Sequence, residues 1–200
     1  YQQPAPPVWI TSMSPGSAGK VAEEGHVVAS FLTGYDGTRQ VFDAYRDRLS
    51  ELGRPAPADD RFAYAALTFV GKDDEEGLEG ARKLMWYVKG NKVPAHFVTP
   101  PGYLPYQFRA AMMQGKRSPY DFQDLTMEDL MDQGIVFAGS AATVAGQIER
   151  FYERVGGFGH LLLMGQAGFM EHEETVRGIE NFASGVAPRL DRLTGVGVPS

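Results

Sequence analysis

The chain has 200 residues, 43% of them hydrophobic and 12% aromatic, enough to bury a substantial core, so one globular domain spanning 1–200 is expected rather than a disordered chain. Its net charge of −6 comes from 19 basic and 25 acidic residues with no Lys/Arg cluster, which argues against a nucleic-acid partner, and no apolar run approaches the ~20 residues of a membrane helix. The absence of cysteine excludes disulfides, thiolate metal ligands and a Cys nucleophile, fits a reducing cytoplasm, and leaves any redox chemistry to a bound cofactor.

The first element is a short apolar strand, Pro7-Val8-Trp9-Ile10, running into the turn Thr11-Ser12-Met13-Ser14-Pro15-Gly16-Ser17. Ser14 is placed as the N-cap of a helix and Pro15 at its first position, where a missing N–H costs nothing, while Ala18, Val21 and Ala22 supply helical spacing. Free amides of Gly16 and Ser17 at the positive end of that helix would face a phosphate or carboxylate. A second buried strand is expected at His26–Leu32. A helix with Val41, Phe42, Tyr45, Leu49 and Leu52 on one face follows, and Gly53 stops it before Pro55 and Pro57. Phe62–Val70 reads as a third strand. Asp73 to Glu76 then caps a helix whose apolar stripe is Leu78, Ala81, Leu84, Met85 and Val88. Alternation of this kind is the signature of a parallel sheet with crossover helices.

From about 90 to 139 the rhythm breaks, with Pro94, Pro100, Pro101, Pro105 and Pro119 interrupting regular elements. This stretch is expected to be an inserted lid or binding loop, with short helices at Gln107–Gln114 and Met127–Met131. Ser140 then caps a helix carrying Val144, Ile148, Phe151, Tyr152 and Val155. His160–Met164 reads as a fully buried strand, and a last helix carries Val176, Ile179, Phe182, Val186 and Leu190, with Pro188 bending or ending it. Four strand–helix units make half of a (β/α)8 barrel, which usually needs ~250 residues. Such a half must pair with another to close its sheet, or belong to a longer chain; a small open doubly wound sheet is the third option.

Three segments together resemble the C-terminal half of the luciferase-like, flavin-dependent monooxygenase family. They are Pro6–Ser17, Val136–Val144 and Gly157–Met164, and Pro100-Pro101-Gly102-Tyr103 is similar to the insertion of its limonene-monooxygenase-like subgroup. The resemblance implies a TIM barrel binding FMN at the C-terminal strand ends, reduced flavin coming from NAD(P)H through a separate reductase, and O2 as co-substrate. Carried over by position, Ser14 gives a hydroxyl to the flavin phosphate, Gly16 and Ser17 give backbone amides, and Ser12 lies close by. The deazaflavin F420 is the alternative cofactor in a related barrel, and a non-catalytic half-barrel acting in binding or assembly is the alternative outside enzymes. His96, Phe97, Tyr103 and Phe108 of the insertion are the expected substrate-pocket residues, for a modest apolar organic molecule. His26 and His160 begin strands, away from where barrel chemistry occurs, and are expected to be structural. His172 has no second His four residues away, so no metal site is expected, and no catalytic residue is assigned. An exposed half-barrel edge implies self-association, so a homo-oligomer is expected.

Overall fold

The computed structural model describes residues 3, 6–86, 89, 122 and 124–194. In chain order the described elements are β1 (Trp9–Thr11), α1 (Pro15–Glu23), β2 (Val27–Phe31), α2 (Gly34–Glu51), β3 (Phe62–Gly71), α3 (Asp74–Leu84), α4 (Met127–Asp132), β4 (Val136–Ser140), α5 (Ala141–Val155), β5 (His160–Met164), α6 (His172–Asn181) and α7 (Ala187–Thr194). Every strand pairing is parallel: β1 with β2, β2 with β3, and β3 with both β4 and β5.

Backbone geometry sorts these pairings. The Leu32 amide donates to the Ala65 carbonyl at 3.1 Å, and the Leu67 amide donates to the Ile135 carbonyl at 3.3 Å. Residues two apart in a strand send their backbone groups to the same edge, so β4 takes over the β2 side of β3 where β2 ends. β5 pairs with Ala63 to Leu67 along the other side. The curved wall therefore runs β1-β2-β3-β5, and β4 is an upper storey on the long β3. Its lower half is a barrel stave, and its upper half, Leu67 to Gly71, forms a ribbon with β4.

By strand alternation, Trp9, Ala29, Ala63 and His160 share one face, and the Trp9 and His160 ring centroids lie 4.5 Å apart. In a flat sheet three strand spacings would put β1 and β5 roughly 14 Å apart, so the wall curls and these rings meet across its hollow. The fold is α/β, the parallel half of a TIM-type barrel. On the convex face Val28, Phe62, Tyr64 and Ala66 pack against Val41, Phe42 and Tyr45 of α2 and Phe151 of α5 in the main core. Tyr64 stacks on Phe151 at 4.1 Å, and its hydroxyl donates to the Gly134 carbonyl at 2.8 Å. A second core, with Leu67, Phe69, Leu84, Leu130 and Val136, surrounds the ribbon.

Several helix ends follow the expected chemistry. The Asp73 carboxylate accepts from the Glu76 amide at 2.9 Å, and the Ser140 hydroxyl accepts from the Thr143 amide. Thr126 and Asp129 form a full capping box at the start of α4, the short helix expected at Met127–Met131. Four features differ from the expectations. β4 is an additional strand. α2 ends at Glu51, leaving Leu52 40% exposed beside it. β5 is not fully buried, since Leu162 and Leu163 are 40% and 38% exposed on an edge that no described strand covers. Pro188 neither ends the last helix nor lies at its kink: a π-turn at Phe182–Val186 precedes it, and helix resumes at Ala187. A proline cannot donate to the carbonyl four residues back and crowds it, and a local change of helical pitch just upstream accommodates both. Ile179 on this helix is 57% exposed rather than packed.

Candidate functional site

The site is built on two neighbouring turns at the carboxyl ends of β1 and β2. After β1, the Ser12 amide donates to the Ala29 carbonyl at 2.9 Å, and its side chain is buried. Ser12 Oγ lies 2.6 Å from Ser17 Oγ and donates to the Ser14 carbonyl at 3.1 Å. The Ser17 hydroxyl also donates to that carbonyl, at 3.1 Å. Ser14 sits at the N-cap in an extended conformation with Pro15 following, as expected, but its hydroxyl makes no cap bond. The reason is local: the Ser17 amide, expected to be free, points at the Ser14 carbonyl at 3.3 Å, closing the first turn tightly. The Ser14 hydroxyl is left at the surface, 3.4 Å from Ser17 Oγ.

Space and charge around this turn suit an anion. A Cβ built on Gly16 meets nothing within 4 Å, so the approach to its backbone is open. The first turn of α1 carries no acidic residue, whereas those of α3 and α6 carry Asp74, Glu75, Glu76 and Glu173, Glu174. A carboxylate at a helix start satisfies the dipole internally, and its absence leaves the positive end of α1 available to a ligand.

The β2–α2 turn forms the second wall. Leu32 has φ +50°, a left-handed conformation unusual for a bulky residue, and its side chain is nonetheless buried. Gly34, at φ +64°, is required by space: a Cβ there would lie 2.7 Å from the Gln133 carbonyl oxygen. A chain of hydroxyls fixes the turn, with Thr33 Oγ1 2.5 Å from Ser30 Oγ and 2.7 Å from Thr38 Oγ1. Between the two turns lies a cavity of about 290 Å³, lined by Met13, Ser14, Thr33 and Gln40 and closed by Phe122 and Ile135 among others. Thr33 and Gln40 were not singled out from the sequence. Thr33 to Gly37 reads as an ordinary turn, and its proximity to the serine turn is a property of the parallel pairing.

His26 and His160 hold the structural positions expected of them. The His26 carbonyl accepts from the Tyr45 hydroxyl at 3.0 Å, and His160 Nε2 lies 3.1 Å from the Asp60 carbonyl. His172 begins α6. The expected pocket residues His96, Phe97, Tyr103 and Phe108, and the expected helix at Gln107–Gln114, lie outside the described residues. Among the described residues no helix is long and apolar enough to cross a membrane.

A parallel half-barrel with its polar turn at the carboxyl ends of the strands is the arrangement of a barrel enzyme's ligand end. Residues 1–157 match the model of the luciferase-like monooxygenases, and the chain belongs to that family. Solved structures agree on the fold. Monooxygenase RslO1 from Streptomyces bottropensis superposes with a TM-score of 0.65 at 19% identity, over 94% of this chain and 50% of that one. The oxygenating constituent of 3,6-diketocamphane monooxygenase from Pseudomonas putida, a type II Baeyer–Villiger enzyme in complex with FMN, gives 0.63 at 23% identity over 92% and 49%. The coenzyme F420-dependent tetrahydromethanopterin reductase from Methanopyrus kandleri gives 0.58 at 18% identity over 91% and 50%. The chain thus spans about half the length of these neighbours. No curated protein matches it.

Proposed function

We propose that this chain supplies half of the barrel of a flavin-dependent monooxygenase that uses reduced FMN and O2 on a small organic substrate, and that the serine turn holds the FMN phosphate. The observation that carries the reading is the Ser14 hydroxyl, set at the start of a helix and left out of its cap. The residues fit a phosphate: a spare hydroxyl, an open backbone at Gly16, a helix start without a carboxylate, and a braced Ser17. When bound, FMN supplies the electron transfer and oxygen chemistry. The chain's share is binding and exclusion of water. Ser14 donates its hydroxyl proton to a phosphate oxygen, the Gly16 amide and the dipole of α1 add positive potential, and Ser12 keeps Ser17 from turning away. Met13, Leu32 and Ile135 line the adjoining cavity and keep water from it.

FMN is favoured over F420 by that lining. F420 carries an anionic glutamyl tail beyond its phosphate, and the described lining contains no lysine or arginine to receive it. The segment from Pro94 to Tyr120, with His96, Phe97, Tyr103 and Phe108, is assigned to the substrate pocket, and a separate NAD(P)H:flavin reductase to the supply of reduced FMN. Fluorescence titration with FMN and riboflavin in parallel tests the reading. Ser14→Ala should weaken FMN binding roughly 10- to 150-fold, the value of a hydrogen bond to a charged group, with riboflavin unchanged. Equal losses for both ligands would reject the assignment.

A further inference from the structure

Both edges of the curved wall are open and apolar. On the β1 side Val8, Trp9 and Ile10 are 46%, 39% and 38% exposed. On the β5 side Leu162, Leu163 and Ile179 are 40%, 38% and 57% exposed. Next to β5 a cavity of about 410 Å³ opens beneath α6, lined by Thr68, Leu163, Thr175, Ile179 and Phe182 among others. The Thr175 hydroxyl within it is buried and has no hydrogen-bond partner among the described residues. Proteins that keep a strand edge in water blunt it with lysine, other charges or bulges. Neither β1, Trp-Ile-Thr, nor β5, His-Leu-Leu-Leu-Met, contains a charged Lys, Arg, Asp or Glu. These edges are built to be covered.

We propose that a second copy of this chain covers them, so that two half-barrels related by a two-fold axis along the barrel close one eight-stranded wall. The inference rests on the half-barrel fold and is independent of which cofactor is bound. All pairings in the wall are parallel, so β5 of one copy continues onto β1 of the other, and the same seam repeats on the opposite side. A single added strand would seal one edge and leave the other; the two-fold pair seals both at once. Size agrees as well, since the chain covers 50% of RslO1 and two copies make up a whole barrel.

The area is sufficient. With fully exposed side chains at ~150–250 Å², the six exposed residues present on the order of 500 Å² per copy, so a pair removes roughly 1,000 Å² before polar atoms are counted, the size of a specific interface. Closure brings both serine turns to the same mouth, because the carboxyl ends of all strands point the same way. It also gives the stranded Thr175 hydroxyl a covered environment, where a partner or an ordered water can satisfy it.

The absence of native cysteine makes the test clean. A chain carrying both Ile10→Cys and Leu162→Cys is oxidised mildly and its mass measured by light scattering and by non-reducing electrophoresis. The expected result is a dimer at micromolar concentration that becomes covalent through the engineered pair, while a control Arg39→Cys on the outer face of α2 does not cross-link. Ile10→Lys with Leu162→Lys should give a monomer with an unchanged far-ultraviolet spectrum. A wild-type chain that is monomeric, a dimer that does not cross-link, open-ended oligomers, or a lysine variant that stays dimeric would each overturn the proposal. Failure to bind FMN would leave it standing, and a monomer that binds FMN would overturn it alone.

Discussion

Leu32 allows a sharp test of how the ligand end is held in shape. It combines φ +50° with a buried side chain, two demands that act in opposite directions on a substitution. Truncation to alanine removes buried methyl groups and leaves a cavity, at a cost of about 2–5 kcal/mol, while the left-handed backbone remains strained. Truncation to glycine removes one carbon more but releases about 1–2 kcal/mol of left-handed strain. At an ordinary position glycine is the less stable of the two by about 0.5–1 kcal/mol. Here the order should invert, with Leu32→Gly more stable than Leu32→Ala by about 1 kcal/mol. Urea unfolding of the two variants, compared at equal m-values, reads the difference directly. If Leu32→Gly unfolds first by the usual margin, the backbone at position 32 is not strained and the argument fails.

Two further predictions concern the ribbon that carries the upper storey. The Tyr64 hydroxyl donates to the Gly134 carbonyl from a fully buried position, and burial pushes its pKa far above the usual tyrosine range. Tyr64→Phe leaves that carbonyl unpaired and should cost about 1–3 kcal/mol, measurable as a shift of the urea midpoint. Asp74 accepts the Ser140 amide at 2.7 Å, and this bond, helped by the Thr143 and Ser140 hydroxyls, holds its carboxyl below the usual aspartate range. A lowered folded pKa stabilises the fold above the unfolded pKa near 4 and loses that contribution as pH falls through the folded value. Asp74→Asn should therefore be less stable than the parent at pH 6, and the gap should close between pH 5 and 3. A gap that stays constant through that range would show that the Asp74 charge contributes nothing.

How much of this was legible in the sequence depended on how local each cause is. The alternation of elements, the caps at Asp73, Thr126 and Ser140, and the serine turn were readable because capping chemistry acts over three or four residues. β4 was not, since Val136–Ser140 is short, follows a proline-rich stretch, and exists because β3 outruns its neighbours. The conformation of Leu32 left no signal, because leucine has no local reason to adopt it; the pull comes from the Gly34 turn packed on Gln133. The bonding of Ser12 to Ser17, five residues apart, removed a hydroxyl from the surface that composition alone placed there. Exposure at β5 was equally hidden: an apolar strand looks buried until its neighbour is known.

The ten residues of β3 have a consequence for how the protein tolerates change. Its amino half is bonded to β2 and β5, and its carboxyl half to β4, with Leu67 the joint between them. The chain leaves the upper half through α3 and comes back to it through α4 and β4. Residues 87–121 are thus strung between two anchors on the same storey, and neither anchor touches the register of the staves below. Segments of other lengths and compositions can be exchanged between those anchors as cassettes, so the roof over the ligand end is free to diversify while the wall is held constant.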